Sequence, residues 1–192
     1  MRSELCICAA IDECRAATSP RTHVVILMHQ RERVRTTNTA RLAQLTIPGC
    51  EIRVRGLKDA PLSLEGLGGT SRQPLLLFPT EDAVELNESF VRQLTQPVQL
   101  IVPDGTWGQA AKVTKREPGL AGVPRVKLPT GSPTQYGLRR STKPEGLATF
   151  EAIARALGIL EGGELQKRLE AVFLLMVERT LRSRGGACHT PL

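Results

Sequence analysis

A chain of 192 residues, 41% of them apolar, is long enough to bury one sizeable core and too apolar to remain disordered. Its net charge of +7, from 26 Lys and Arg against 19 Asp and Glu, suits either a polyanionic partner such as nucleic acid or a solvated basic surface, while four Phe, one Tyr and one Trp argue against a row of base-stacking platforms. No run nears the roughly 20 apolar residues of a membrane span, the first residues lack the apolar stretch of a signal peptide, and five scattered cysteines make no disulfide framework, so a reduced, cytoplasmic protein is expected.

Residues 1–20 read as an irregular lead-in. Cys6 and Cys8 offer two thiols and Cys14 a third, short of the four ligands of a structural zinc site, so zinc there is left open. Val24 to Met28 is a continuous β-branched and aliphatic run, the pattern of a strand buried on both faces, and it ends at His29. Arg31, Arg33, Arg35 and Arg41 follow, around hydroxyls and an Asn at 36–39 suited to cap a helix over Ala40–Leu45. His29 is either a structural residue or part of an edge where these arginines hold phosphate. Cys50 to Arg55 alternates, predicting a half-exposed strand with its basic face outward. Residues 57–73 are rich in Gly, Pro and Ser and read as a mobile loop; the glycines at 66–69 lack the Lys-Ser/Thr of a phosphate loop.

Leu75 to Phe78 predicts another buried strand, stopped by Pro79, and Thr80-Glu81-Asp82 reads as the capped start of a helix reaching Leu94. Val98 to Val102 predicts a strand that runs into Pro103-Asp104-Gly105-Thr106-Trp107. A carboxylate and the sole tryptophan thus sit together at a strand end, where open α/β sheets bind ligands, although Asp104 serves equally as a helix cap. A helix over 108–117 follows, with Lys112, Lys115 and Arg116 on one face. Pro124 to Leu128 predicts a strand, residues 129–146 a long irregular segment of functional character, and 147–160 and 164–182 two helices, the last amphipathic. Five strands alternating with helices predict an α/β fold, a largely parallel sheet with helices on both faces, forming one domain over 21–184 with a tail at 185–192.

The chain carries no Ser-His-Asp order and no His-Glu-x-x-His. Asp104 is the usable acid; His29 and Glu32 share its sheet end if their strand is parallel. Such groups among arginines fit a transferase acting on a nucleic-acid base or a phosphate-handling enzyme, and the residues alone do not choose.

Asp104-Gly105-Thr106-Trp107 with Ala110-Ala111-Lys112 resembles the signature of the DTW-domain family. His29-Gln30-Arg31-Glu32 with the run from Arg35 to Leu42 resembles its early motif. Leu76-Leu77-Phe78-Pro79 with Glu81-Asp82-Ala83 resembles the next, and Tyr136-Gly137-Leu138-Arg139 and Leu147 to Ala152 the late ones. The resemblance implies a SPOUT-like fold with a C-terminal knot. It implies a tRNA-uridine aminocarboxypropyltransferase that moves the 3-amino-3-carboxypropyl group of S-adenosylmethionine to N3 of a uridine, releasing methylthioadenosine. Related proteins often carry a further cysteine pair, a zinc knuckle of which Cys6 and Cys8 are read as a remnant or a truncated start. Within this reading Asp104 is the expected base. Phe78, Pro79, Thr106, Trp107, Leu128, Pro129, Ser141, Thr149 and Glu151 are expected around the cofactor. His29, Arg31, Arg33, Arg35, Arg41, Lys112, Arg139 and Arg140 are expected on the RNA. The partner is tRNA, with no membrane and no protein partner inferred. The rivals are a SPOUT-type RNA methyltransferase, a ribosomal-RNA aminocarboxypropyltransferase, and a non-catalytic RNA-binding protein.

Overall fold

The aliphatic runs become parallel strands. The computed structural model describes residues 3–69, 71–138 and 146–185. Its strands are β1 (His23–His29), β2 (Glu51–Arg55), β3 (Gln73–Leu77), β4 (Val84–Glu85), β5 (Val98–Asp104) and β6 (Arg125–Lys127). They form one sheet in the order β2-β1-β5-β3-β6-β4, every pair parallel. Because all run the same way, every carboxyl end lies on one edge, which gathers residues distant in sequence. Met28 pairs with Asp104, His29 with Arg55, and Leu77 with Val126. β5 is central, and all 7 of its residues are buried.

The helices are α1 (Cys8–Ala16), α2 (Ala40–Thr46), α3 (Glu88–Val91), α4 (Trp107–Ala111), α5 (Val113–Arg116), α6 (Thr149–Glu161) and α7 (Gly163–Ser183). Alternate strand residues point to opposite faces. Ile26, Met28, Leu100 and Val102 meet Leu42 of α2, Phe150 and Leu157 of α6 and Phe173 of α7 in the larger core. Val25, Leu27, Leu76 and Ile101 meet Val113 of α5, Leu120 and the leucines at 62, 64 and 67 in a smaller one. The expected layers are therefore present, with helices on both faces but mostly on one.

Several expectations are corrected. The lead-in is helical: Ile7, Ile11 and Cys14, spaced by four and three, pack one stripe of α1 against the main core, and α1 contacts α2 and α7. The helix expected from Thr80 to Leu94 is instead β4 followed by the short α3. Val84 pairs with Val126 and the Leu86 N–H donates to the Lys127 carbonyl at 2.8 Å, so extension of the sheet decides the segment's conformation. Asn87 then starts α3 by accepting from the Phe90 N–H. The helix over 108–117 is split at Lys112. Arg55, expected on an outward basic face, is 2% exposed. The 57–69 loop is packed and tied: Arg53 donates to the carbonyls of Ser63 and Glu65, and the Gln99 amide bridges Gly66 and Gly68.

Among the described residues no helix is long and apolar enough to cross a membrane, and no group of three or more His, Cys, Asp or Glu is placed to hold a metal. Cys6 and Cys8 are exposed; Cys14 and Cys50 are buried, and all four are free thiols. A hydrogen bond with Cys8 holds the Cys6 thiol below its usual range, whereas burial pushes Cys50 up to about 12. Among these four, iodoacetamide at pH 8 is accordingly expected to modify Cys6 first, with Cys14 and Cys50 reacting only on unfolding; peptide mass spectrometry at timed intervals reads the order.

Candidate functional site

β5 delivers Asp104 to the edge where the strands end. The side chain is 4% exposed. Its Oδ2 accepts from Asn38 Nδ2 at 2.7 Å and its Oδ1 from the Thr149 hydroxyl at 2.5 Å. Asn38 also accepts from the Ala40 N–H at 3.0 Å, at the start of α2, and the Thr39 hydroxyl accepts from the Phe150 N–H at 3.2 Å, at the start of α6. One carboxylate thus ties the first turns of two helices to the end of the central strand, where the positive ends of both helices favour an anion.

The next residue must be glycine. Gly105 has φ +155°, and a Cβ there would lie 2.9 Å from Gln109 Oε1. That oxygen accepts from the Thr106 N–H at 2.9 Å, while the Thr106 hydroxyl accepts from the Gln109 N–H at 3.3 Å. This reciprocal cap starts α4 and makes Trp107 its first residue. Gly105→Ala is expected to destabilise the chain by about 1–3 kcal/mol, through backbone strain and loss of the cap, and to lower the thermal midpoint by roughly 2–12 °C. Differential scanning calorimetry checks it.

Trp107 faces Phe78 at the end of β3, with ring centroids 5.6 Å apart and planes tilted by 47°. The pair forms one wall of a cleft of about 420 Å³, within the size range of small-molecule sites. Pro79, Leu128, Pro129, Thr149 and Ala152 line it further, with Lys127 and Arg155 as its cations. A second cavity of about 320 Å³ adjoins it, sharing the 128–132 segment and Arg155 and reaching Glu151, Gln166, Glu170 and Phe173. Of the expected cofactor residues, the structure brings Phe78, Pro79, Trp107, Leu128, Pro129 and Thr149 around the first cleft. Glu151 lines the second cavity, and Thr106 is exposed on the helix cap.

Glu151 is 3% exposed. It accepts from the Gln135 N–H at 2.8 Å, the Ala148 N–H at 3.0 Å and the Thr134 hydroxyl. The carboxylate therefore pins the irregular segment to α6. Tyr136 holds the same segment, stacking on Phe173 and donating its hydroxyl to the Thr37 carbonyl.

Of the expected RNA contacts, His29 and the arginines at 31, 33 and 35 lie at or just beyond the carboxyl end of β1. His29 ends β1, and its Nδ1 accepts from the Arg31 N–H at 3.2 Å. Burial, then the charges of Arg55 and Arg31, hold its pKa below the ordinary histidine value. Arg31, Arg33 and Arg35 are exposed on the connection from β1 to α2 and Arg41 in the first turn of α2, with Arg35 paired to Glu32 at 3.3 Å and Arg41 donating to the Arg33 carbonyl at 2.6 Å. Lys112 is exposed between α4 and α5. Arg139, Arg140 and Ser141 lie outside the described residues.

Sequence reasoning missed Lys127, Arg155 and Arg55, and saw Asn38 only as a cap. Thr149, Ala152 and Arg155 recur every three residues on α6, a one-face spacing that would have pointed to Arg155. Arg55 offered no such signal: β2 is an edge strand, yet the guanidinium is buried, donates to the Gln109 carbonyl and leaves its Nε without a hydrogen-bond partner among the described residues.

The model of the DTW domain matches residues 1–181. The chain belongs to the DTW domain family. α1 lies inside the span matched to that family, so the helical lead-in is part of the DTW region. Its curated relatives include the tRNA-uridine aminocarboxypropyltransferase 2 proteins of Drosophila melanogaster and Macaca fascicularis. The fly protein is 32% identical over 166 residues, 82% of this chain and 62% of the relative. The macaque protein is 28% identical over 144 residues, 73% of this chain and 48% of the relative. The chain thus spans about half to three-fifths of the length of these relatives. Among solved structures, the SAM-dependent rRNA:acp-transferase Tsr3 from Vulcanisaeta distributa superposes with a TM-score of 0.55 at 19% identity, over 86% of this chain and 79% of that one. At that identity the likeness concerns the fold of this DTW chain.

Proposed function

We propose that this DTW protein transfers the 3-amino-3-carboxypropyl group of S-adenosylmethionine to N3 of a tRNA uridine and releases methylthioadenosine. One observation carries the reading: Phe78, Trp107, Leu128, Pro129 and Thr149, drawn from four separate segments, converge on a single aromatic-walled cleft beside the Asp104–Trp107 turn. The names of the DTW relatives supply the reaction class.

The cleft fits the donor chemically. Phe78, Trp107 and the apolar Pro79, Leu128 and Pro129 suit an adenine ring, and Thr149 and Lys127 supply polar atoms at the rim. When bound, S-adenosylmethionine supplies a sulfonium that needs no further activation: a bond forms between uridine N3 and the γ-carbon, the S–C bond breaks with its electron pair kept on sulfur, and the N3 proton leaves. The protein's share is positioning and electrostatics.

Among the described residues that line the cleft there is no carboxylate and no imidazole. Both Asp104 oxygens accept side-chain donors, and the group is almost wholly enclosed. We therefore assign Asp104 a positioning role: it fixes Thr149, the α2 start and the Gly105–Trp107 turn. Lys127 supplies the positive field that eases departure of the N3 proton, which passes to solvent. The exposed Arg31, Arg33, Arg35, Arg41 and Lys112 then hold tRNA phosphates, with His29 beside them. Binding through these groups weakens steeply with salt. A cytosolic setting, in keeping with the free thiols, belongs to the same proposal, as does the SPOUT relationship; the path of residues 139–145, on which a knot depends, lies outside the described residues.

Mass spectrometry of nucleosides from tRNA incubated with the protein and S-adenosylmethionine tests the reading. A uridine heavier by one aminocarboxypropyl group is expected. A methylated nucleoside would support the methyltransferase reading instead, and unmodified tRNA that remains bound would support a non-catalytic RNA-binding protein.

A further inference from the structure

The cleft has two cations, Lys127 and Arg155. Arg155 lies six residues beyond Thr149, about 9 Å down the axis of α6, and lines both the main cleft and the cavity that adjoins it. It is half-buried and forms no ion pair with Asp or Glu among the described residues. Its Nη1 donates to the Ser132 carbonyl at 2.7 Å and its Nη2 to the Pro133 carbonyl at 3.3 Å. Those bonds hold the fork against the wall formed by residues 129–133. A guanidinium has five N–H donors, so donors remain. A fixed cation with spare donors, in ion-pair contact with no carboxylate among the described residues although Glu151 and Glu170 line the adjoining cavity, in a cleft that has an aromatic wall, has the chemistry of a carboxylate receptor.

We infer that Arg155 binds the α-carboxylate of the aminocarboxypropyl chain of the donor and thereby decides which carbon of the sulfonium faces the acceptor. This rests on the donor assignment proposed above. The donor has three carbons on sulfur, and transfer of the long chain requires that its γ-carbon, not the methyl, be turned to the nucleophile. The aromatic wall holds the adenosine end equally well in any rotamer of that chain. A charge-assisted anchor on the terminal carboxylate, less than two helical turns from the Asp104–Thr149 contact, fixes the chain between two points. A lysine would leave the chain freer, because it lacks the planar fork that the two carbonyls hold in place.

Three ligands separate the carboxylate contact from every other one. S-adenosylmethionine and S-adenosylhomocysteine both carry the aminocarboxypropyl chain; methylthioadenosine keeps the adenosine and the thioether and lacks it. Calorimetric titration of the full chain, wild type against Arg155→Ala and Arg155→Gln, is the experiment, with unfolding curves recorded for each variant. The amide of the Arg155→Gln variant can still donate to one loop carbonyl, so this variant guards against collapse of the 129–133 wall. Expected is a roughly 10- to 100-fold loss of affinity for S-adenosylmethionine and S-adenosylhomocysteine in both variants, with methylthioadenosine changed by less than about 3-fold. Equal losses for all three ligands would show that Arg155 only shapes the loop and would overturn the inference. No loss for any of them would overturn it too, as would a loss confined to tRNA affinity, which would make the partner a phosphate. Failure of the wild type to bind any of the three would overturn the donor assignment itself.

Discussion

Asp104→Ala is expected to lower the thermal midpoint by about 4–16 °C and to abolish measurable transfer. The carboxylate receives Asn38 at 2.7 Å and Thr149 at 2.5 Å in a place that is 4% exposed. Removing it leaves two half-buried donors unpaired, at about 1–2 kcal/mol each, and a chain of this length loses about 2–4 °C per kcal/mol. Asp104→Asn separates anchoring from proton transfer. The amide keeps the shape but accepts on one side only and turns an NH2 toward the other donor. If Asp104 is a positioning residue, Asn lowers stability by about 1–3 kcal/mol and weakens donor binding together with turnover. If it takes the uridine proton, Asn abolishes turnover while donor affinity is kept. Unfolding curves and donor titration on the same samples distinguish the two.

Trp107→Ala should weaken donor binding by roughly 5- to 150-fold with a small cost in stability. An aromatic face against a nucleobase is worth about 1–3 kcal/mol when truncated to Ala. Trp107 is only half-buried and shares one wall of the cleft with Phe78, so the core feels little of the change. Trp107→Phe should restore most of the affinity. Because this is the sole tryptophan, emission of the wild type should also shift on addition of the donor. Calorimetry with the three proteins checks the order wild type, Phe, Ala.

Much of the scaffold was legible because its strands are continuous aliphatic runs. β1 and β5 have no other stable place than between two helical layers, and the stripe Leu169, Val172, Phe173 and Val177 announces α7. What failed were segments decided by a partner. Val84 and Glu85 form a strand because β6 offers an edge to pair with, a fact absent from the local pattern. The stripe of α1 is half masked by the acidic and basic residues between its apolar positions.

The site divides in the same way. Phe78 and Leu128 stand at strand ends and Trp107 and Thr149 at helix starts, and the parallel sheet does the rest. Thr106 and Glu151 were polar residues in the right neighbourhood, but the hydrogen bonds that occupy them run to backbone N–H groups no pattern reveals. The Asn38–Asp104 bond spans 66 residues of chain, and Arg155 sits less than two turns inside a helix whose start drew all the attention. The first is a product of folding, whereas the second had a local signal in the three-residue spacing of Thr149, Ala152 and Arg155.

The central claim is that the group transferred is the long chain of the sulfonium and not its methyl. Chromatography of the small-molecule products after incubation with S-adenosylmethionine, with and without tRNA, tests it most directly. Methylthioadenosine that accumulates only when tRNA is present, in step with loss of donor, is the predicted result; S-adenosylhomocysteine as the tRNA-dependent product would contradict it.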